Sequence, residues 1–131
     1  MASAAALVAV VLTGCVVAAA APAAQNTRSH ERSIQKVTLT ATDDRFTPTT
    51  VHAQAGQSLE ITVVNRGTHT HGLRLVLSYG EVPFPENVPP GRTMSRVFDN
   101  LGEPGTYRFY CPVDDHASHG MQGSLIIAAG K

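Results

Sequence analysis

The chain has no tryptophan, and aromatic residues make up only 5% of its 131 positions. A stacking platform for bases or sugar rings is therefore excluded as its main device. Its 10 Lys and Arg are matched by 10 Asp and Glu, and the basic residues nowhere cluster. A net charge of zero gives no phosphate-neutralising footprint, so nucleic acid is excluded as a partner. The 2 cysteines are too few for a disulfide-dense scaffold. No internal repeat, Ser-His-Asp arrangement, phosphate-cradling glycine loop or paired-carboxylate site is visible. The length allows one domain, and abundant Val, Ile, Leu and Ala exclude a wholly disordered chain.

Charge is also missing from one whole region: no Asp, Glu, Lys or Arg precedes Arg28. The run Ala4 to Ala24 is almost entirely Ala, Val and Leu, followed by small residues. It reads as the apolar part of an export signal over 1–24, although its start carries no Lys or Arg. An uncleaved anchor ranks second. The run approaches the ~20 residues needed to span a bilayer, but Ala inserts poorly and Gly14 and Pro22 interrupt it. Leu12-Thr13-Gly14-Cys15 resembles a bacterial lipobox, the signal for lipidating a cysteine and cutting before it. Two readings stand for Cys15: an acylated mature N-terminus, anchored by roughly 0.8 kcal/mol per buried methylene, or an ordinary apolar residue of a signal cut near Ala23 or Ala24. Both imply export to a periplasmic or other extracytoplasmic space, and both leave Cys111 as the unpaired thiol of the folded domain. Residues 25–33 (QNTRSHERS) are polar and aperiodic, a flexible linker in which His30 reads as a solvated loop residue.

From Ile34 to Lys131 the pattern turns to period two, with no helical period. Val37, Leu39 and Ala41 share one predicted strand face. Leu59, Ile61 and Val63 share a second, and His71, Leu73, Leu75 and Leu77 a third. Tyr107, Phe109 and Cys111 share a fourth; Leu125 and Ile127 lie on the last strand. A further strand is predicted through Thr93 to Asp99. Turn residues punctuate the series at Ala55-Gly56-Gln57, Asn65-Arg66-Gly67, Val88-Pro89-Pro90-Gly91 and Glu103-Pro104-Gly105. Tyr79 to Pro90, rich in breakers, is predicted to be a crossing loop. About seven short strands in about 98 residues fit an all-β Greek-key sandwich. A domain of this size buries a workable core without disulfides, so Cys111 need not be structural.

The chemistry gathers between His69 and Met121. Cys111 and His116 bound a short loop, Met121 follows, and His71 stands upstream at the start of a predicted strand. Thiolate, imidazole and thioether are the soft and borderline donors that suit copper in both oxidation states, and a His₂Cys set with a weak axial Met is the arrangement of blue-copper sites. Taken singly, Cys111 reads as a small buried hydrophobe and Met121 as core filler; the combination and its spacing make those readings minor. Zinc accepts Cys and His, but a thioether is a poor zinc ligand.

These residues resemble the cupredoxins, the type 1 blue copper family of plastocyanin and azurin type. The resemblance runs from about Lys36 to Ala128. It includes Phe46-Thr47-Pro48, Ala55-Gly56 before SLEITVVN, Asn65-Arg66-Gly67 leading to His71, Pro89-Pro90-Gly91, Gly105-Thr106-Tyr107 running into Phe109-Tyr110-Cys111, and Gly123 opening the last strand. The Cys-x₄-His-x₄-Met spacing is similar to that of the auracyanin and rusticyanin subgroup. The resemblance implies a cupredoxin-like sandwich holding one copper, with His71, Cys111 and His116 in the trigonal plane and Met121 as the long axial ligand. It further implies a one-electron carrier and not an enzyme, with His116 as the electron's route to a redox protein partner.

Three departures stand out. Gly72 occupies the place after the first histidine ligand where the family often has a bracing Asn. Pro112 removes a backbone N–H next to the thiolate. His69 and His119 are extra histidines near the ligands. The pair His69-Thr70-His71 is similar to a multicopper oxidase motif, but a single pair in a single domain makes His69 a turn residue at the site's edge. His119 reads as exposed loop, His52 as a solvated strand residue and Met94 as packing. The alternative function is a copper-delivering or copper-sensing module of the same fold. An oxidase or reductase would need a second copper site. Asp114-Asp115 read as solvated charges able to steer a cationic partner. The expected form is a monomer whose only membrane link would be a lipid on Cys15.

Overall fold

The computed structural model describes Gly14 and residues 33–131. The expected signal segment 1–24 apart from Gly14, the Cys15 lipidation site and all of the 25–33 linker but Ser33 lie outside these residues.

Nine strands form two sheets. They are β1 (Ile34–Ala41), β2 (Phe46–Thr47), β3 (Thr50–Gln54), β4 (Ser58–Asn65), β5 (Arg74–Leu77), β6 (Gly80–Pro83), β7 (Thr93–Phe98), β8 (Gly105–Tyr110) and β9 (Gln122–Ala128). One sheet runs β2-β1-β4-β7 and the other β3-β9-β8-β5-β6. The order departs from chain order in both, as a Greek-key sandwich requires. Two pairings are parallel, β1 with β4 and β3 with β9, and the rest antiparallel.

Side chains alternate across a strand, so the period-two pattern decides which face is covered. In β1 and β4 the register sets Val37 beside Ile61 and Leu39 beside Val63, which puts both apolar rows on one inner face. Leu75, Phe109, Leu125 and Ile127 supply the facing sheet, and all are at most 2% exposed. Phe46 and Phe109 meet edge to face with ring centroids 5.7 Å apart, a favoured aromatic geometry. In β7 the inward row is Met94, Arg96 and Phe98, with Phe98 buried and Met94 partly buried against the core.

Tyr79 to Pro90 is not wholly the crossing loop that its breakers predict. Gly80–Pro83 form β6, an edge strand paired antiparallel to β5. Pro83 sits at the end of an edge strand, where its missing N–H does no damage. Farther on, Val88 bridges His71. The short strands β2 and β6 carry the count beyond the expected seven or so.

The ends of β1, β4 and β8 and the starts of β5 and β9 lie at the same end of the sandwich, as their pairings dictate. Three connections therefore meet there: the turn after Ala41, the segment Arg66–Leu73 and the loop Cys111–Met121. The first two are tied directly, Arg66 N–H donating to Ala41 O at 2.8 Å.

Candidate metal centre

Cys111 continues the inward row of β8 past its end and is 1% exposed. Its N–H donates to Met121 O at 3.0 Å, and Met121 N–H donates to His116 O at 3.0 Å. The loop is thus clipped shut at its base, and Cys111, His116 and Met121 hang from one small frame. Inside it, His116 N–H donates to Val113 O, and Gly120 N–H to Ala117 O. Asp114 takes φ 44° and Gly120 φ 107°; Asp is one of the few side chains that tolerate the first, and Gly relieves the second.

His71 arrives from the other sheet connection. Its backbone is fixed by reciprocal bonds with Val88, at 3.1 and 2.6 Å. The ring is fully buried, and neither Nδ1 nor Nε2 has a hydrogen-bond partner. Buried polar atoms are rarely left so, and a ring with no partner at either nitrogen has one free to bind a metal. The metal-capable atoms of His71, Cys111 and His116 lie within 4.8 Å of one another. Cys111 Sγ is 3.6 Å from His116 Nδ1, and the two imidazole rings are 5.0 Å apart. Met121, the fourth expected residue, is 0% exposed. His71, Cys111 and His116 are therefore brought to one place, with His116 alone half-buried, and the backbone of Met121 is tied to Cys111 and His116 beside them.

The electrostatics favour ligation. Burial pushes His71 below the ordinary imidazole value, and the neighbouring His116 pushes the same way. A neutral ring keeps its lone pair for a metal. The thiol sulfur accepts the Gly72 N–H at 3.4 Å. Gly72 thus serves the site through its backbone. A Cβ there would collide with Asn87 Oδ1 and lie 3.1 Å from Pro112 Cδ, so Asn87 and Pro112 occupy the space a side chain would need.

Gly72 offers no side chain to brace the ligand loop, and a different clamp, on the loop that delivers His71, stands six residues before that histidine. Asn65, 1% exposed at the end of β4, donates through Nδ2 to His69 O at 2.8 Å and Val88 O at 2.7 Å, while Oδ1 accepts Gly67 N–H at 2.9 Å. All three bonds hold the loop that delivers His71. In the sequence Asn65 reads only as turn punctuation; its place as the last inward residue of a half-buried strand was the available signal.

Asp43 is a second residue that sequence reasoning missed. Its carboxylate accepts Thr68 N–H at 2.6 Å, Thr68 Oγ1–H at 2.7 Å and His69 N–H at 3.1 Å. The Thr68 hydroxyl above all holds this carboxyl well below the usual carboxylate range. Oδ1 lies 3.3 Å from His69 Nδ1 and 3.5 Å from His71 Nε2.

The extra histidines fall where expected. His69 is exposed, its ring 6.0 Å from that of His116 at the site's edge. His119 is exposed and pairs with Asp115 at 3.3 Å. His52 is exposed on β3. Among the described residues no other group of three or more His, Cys, Asp or Glu converges.

Comparison with known proteins agrees with this architecture. No curated protein matches the chain in sequence. Among solved structures, auracyanin from Roseiflexus castenholzii is similar with a TM-score of 0.66 at 17% identity, over 72% of this chain and 97% of its own. Auracyanin A from Chloroflexus aurantiacus is similar with a TM-score of 0.61 at 20% identity, over 72% and 99%. A copper-containing nitrite reductase from Thermus scotoductus is similar with a TM-score of 0.64 at 18% identity, over 76% of this chain but 28% of its own. At these identities the likeness establishes the fold. The sequence profile of the Cupredoxin-like domain matches residues 5–127. Spanning nearly the whole length, that match places the chain in the cupredoxin-like family.

Proposed function

We propose that the chain is an exported type 1 copper protein that carries single electrons between protein partners. The observation that carries this reading is the meeting of His71, Cys111 and His116 within 4.8 Å, at the end of a cupredoxin-like sandwich. Copper, when bound, supplies the Cu(I)/Cu(II) couple.

The chain's own residues do the rest. His71 and His116 offer neutral imidazole nitrogens, Cys111 a thiolate and Met121 a thioether. This donor set suits both oxidation states and gives zinc too few strong ligands. His71, Cys111 and Met121 are at most 1% exposed, so water is kept from three of the four donors. Backbone bonds clip the Cys111–Met121 loop, and Asn65 clamps the His71 loop to the opposite sheet. Donors held this firmly move little when the charge at the site changes, which keeps the cost of electron exchange low. His116, half-buried at the loop's outer side, is the route by which a partner reaches the site. The exposed Asp114 and Asp115 beside it favour a partner with a cationic face.

The likeness to the auracyanins, which runs over 97% and 99% of their own length, supports the carrier reading. The charge-free leader supports export, with Cys15 as a lipid anchor or a residue of a cleaved signal. No helix among the described residues is long and apolar enough to cross a membrane.

Cyclic voltammetry of the copper-loaded chain tests the function. A reversible one-electron wave, with the metal retained over repeated cycles in the presence of a Cu(I) chelator, is expected. An irreversible wave with loss of copper at each reduction would replace the carrier by a delivery module.

A further inference from the structure

Asp43 contacts the candidate ligand His71 from outside the metal-binding set. His71 is fully buried with both ring nitrogens unpartnered, and Asp43 Oδ1 stands 3.5 Å from Nε2. No other carboxylate lies within ion-pair distance of this ring among the described residues. Three bonds from Thr68 and His69 fix the carboxylate where it is.

The chain also clears the space in which the two groups meet. A Cβ on Gly67 would collide with Asp43 Oδ1 and lie 3.0 Å from His71 Nε2. The backbone of Gly67 lies outside the left-handed region, so the need for glycine there is spatial. Its N–H is anchored on Asn65 Oδ1 at 2.9 Å, which prevents the turn from drifting away. Asn65, Gly67 and Thr68 thus form a cradle that presents one carboxylate to one imidazole.

A ring nitrogen facing a carboxylate keeps its proton, and the other nitrogen is then left with a lone pair. Metal-ligating histidines are commonly oriented this way, through a hydrogen bond from the nitrogen that does not bind the metal. We propose that Asp43 is the positioning residue of the metal centre: it holds His71 as the Nε2–H tautomer, turns Nδ1 toward Cys111 and His116, and places a fixed negative charge next to a ligand. That charge favours the more positive metal ion, so it lowers the reduction potential. The inference rests on His71 being a metal ligand, as proposed above.

Two variants separate position from charge. Asp43→Asn keeps an oxygen for Nε2–H and removes the charge. Asp43→Ala removes both. Nitrogen-15 NMR of the metal-free full chain reads the His71 tautomer directly and does not depend on copper. Wild type and Asp43→Asn are expected to show Nε2–H, and Asp43→Ala a mixture. In copper-loaded protein, Asp43→Ala is expected to bind Cu(II) ten- to a hundredfold more weakly, with Asp43→Asn restoring most of the loss. Asp43→Asn is expected to shift the Cu(II)-to-Cu(I) affinity ratio about tenfold toward Cu(I), a rise of about 59 mV for one electron. Gly67→Ala, which displaces the carboxylate without removing it, is expected to mimic Asp43→Ala and keeps the test open should that variant fail to fold.

An Nδ1–H tautomer in the wild-type apo chain would overturn the proposal. So would a potential unchanged in Asp43→Asn together with a Cu(II) affinity unchanged in Gly67→Ala. If copper-loaded wild type lacked a thiolate charge-transfer band, the metal-centre reading would fall instead, while the tautomer of the apo chain would still decide what Asp43 does to His71.

Discussion

Replacing Asn65 with alanine removes one buried and two part-buried hydrogen bonds at once. Nδ2 loses His69 O and Val88 O, and Gly67 N–H loses Oδ1. Val88 O keeps a bond from His71 N–H at 3.1 Å, so it is not left empty. The backbone of residue 65 keeps its own bonds to Arg92 O and from Gly91 N–H, so the strand end survives and the effect isolates the side chain. At about 1 kcal/mol net per bond, the loss is about 3 kcal/mol. For a domain of this size that is roughly 12–24 °C in Tm. Urea and thermal unfolding of the metal-free chain, followed by circular dichroism, measure it. Asn65→Asp sharpens the test: it keeps an acceptor for Gly67 N–H but sets a carboxylate oxygen against two carbonyls, so it is expected to be at least as damaging as alanine. A loss below about 0.5 kcal/mol, the scale of an ordinary surface change, would refute the idea that Asn65 holds the His71 loop.

Met121→Leu keeps the volume of a buried side chain, so stability should change by less than about 1.5 kcal/mol. The thiolate absorption of the copper form should persist while the potential rises, since a donor to the more charged ion is gone; an unchanged potential would remove Met121 from the ligand set. Gly123→Ala drives a methyl into Phe109 and the Thr49 carbonyl, and a loss of about 1–3 kcal/mol on chemical unfolding is expected. The depressed pKa of His71 means that the unfolded chain takes up that proton first as pH falls. Metal-free stability should be full above the ordinary imidazole value of 6.5 and decline below it. His71→Asn should flatten that slope, and a slope unchanged in the variant would refute His71 as its source.

The inward rows of β1, β4, β5, β8 and β9 were legible in the sequence because one face of each strand is buried, and period two records that directly. The ligand loop was legible because its chemistry is local: Cys111, His116 and Met121 sit within one turn-rich segment closed by its own backbone. What escaped detection depends on distant parts of the chain. β6 is an edge strand, mostly exposed and bounded by breakers, and only its pairing with β5 makes it a strand. Asn65 and Asp43 have ordinary local roles, a strand end and a turn, and gain their function from contacts with His69, Val88 and Thr68 that the parallel β1–β4 pairing brings into reach. The missing brace at Gly72 could be noticed in the sequence, but the filling of its space by Asn87 and Pro112, and the separate clamp that Asn65 puts on the His71 loop, could not.

The most direct test of the metal centre is the visible absorption and electron paramagnetic resonance of the chain with one equivalent of Cu(II), beside Cys111→Ser. An intense thiolate-to-copper charge-transfer band in the wild type, absent from the variant, is the expected result. A pale spectrum of ordinary nitrogen and oxygen ligation, the same in both proteins, would contradict a type 1 site at His71, Cys111, His116 and Met121.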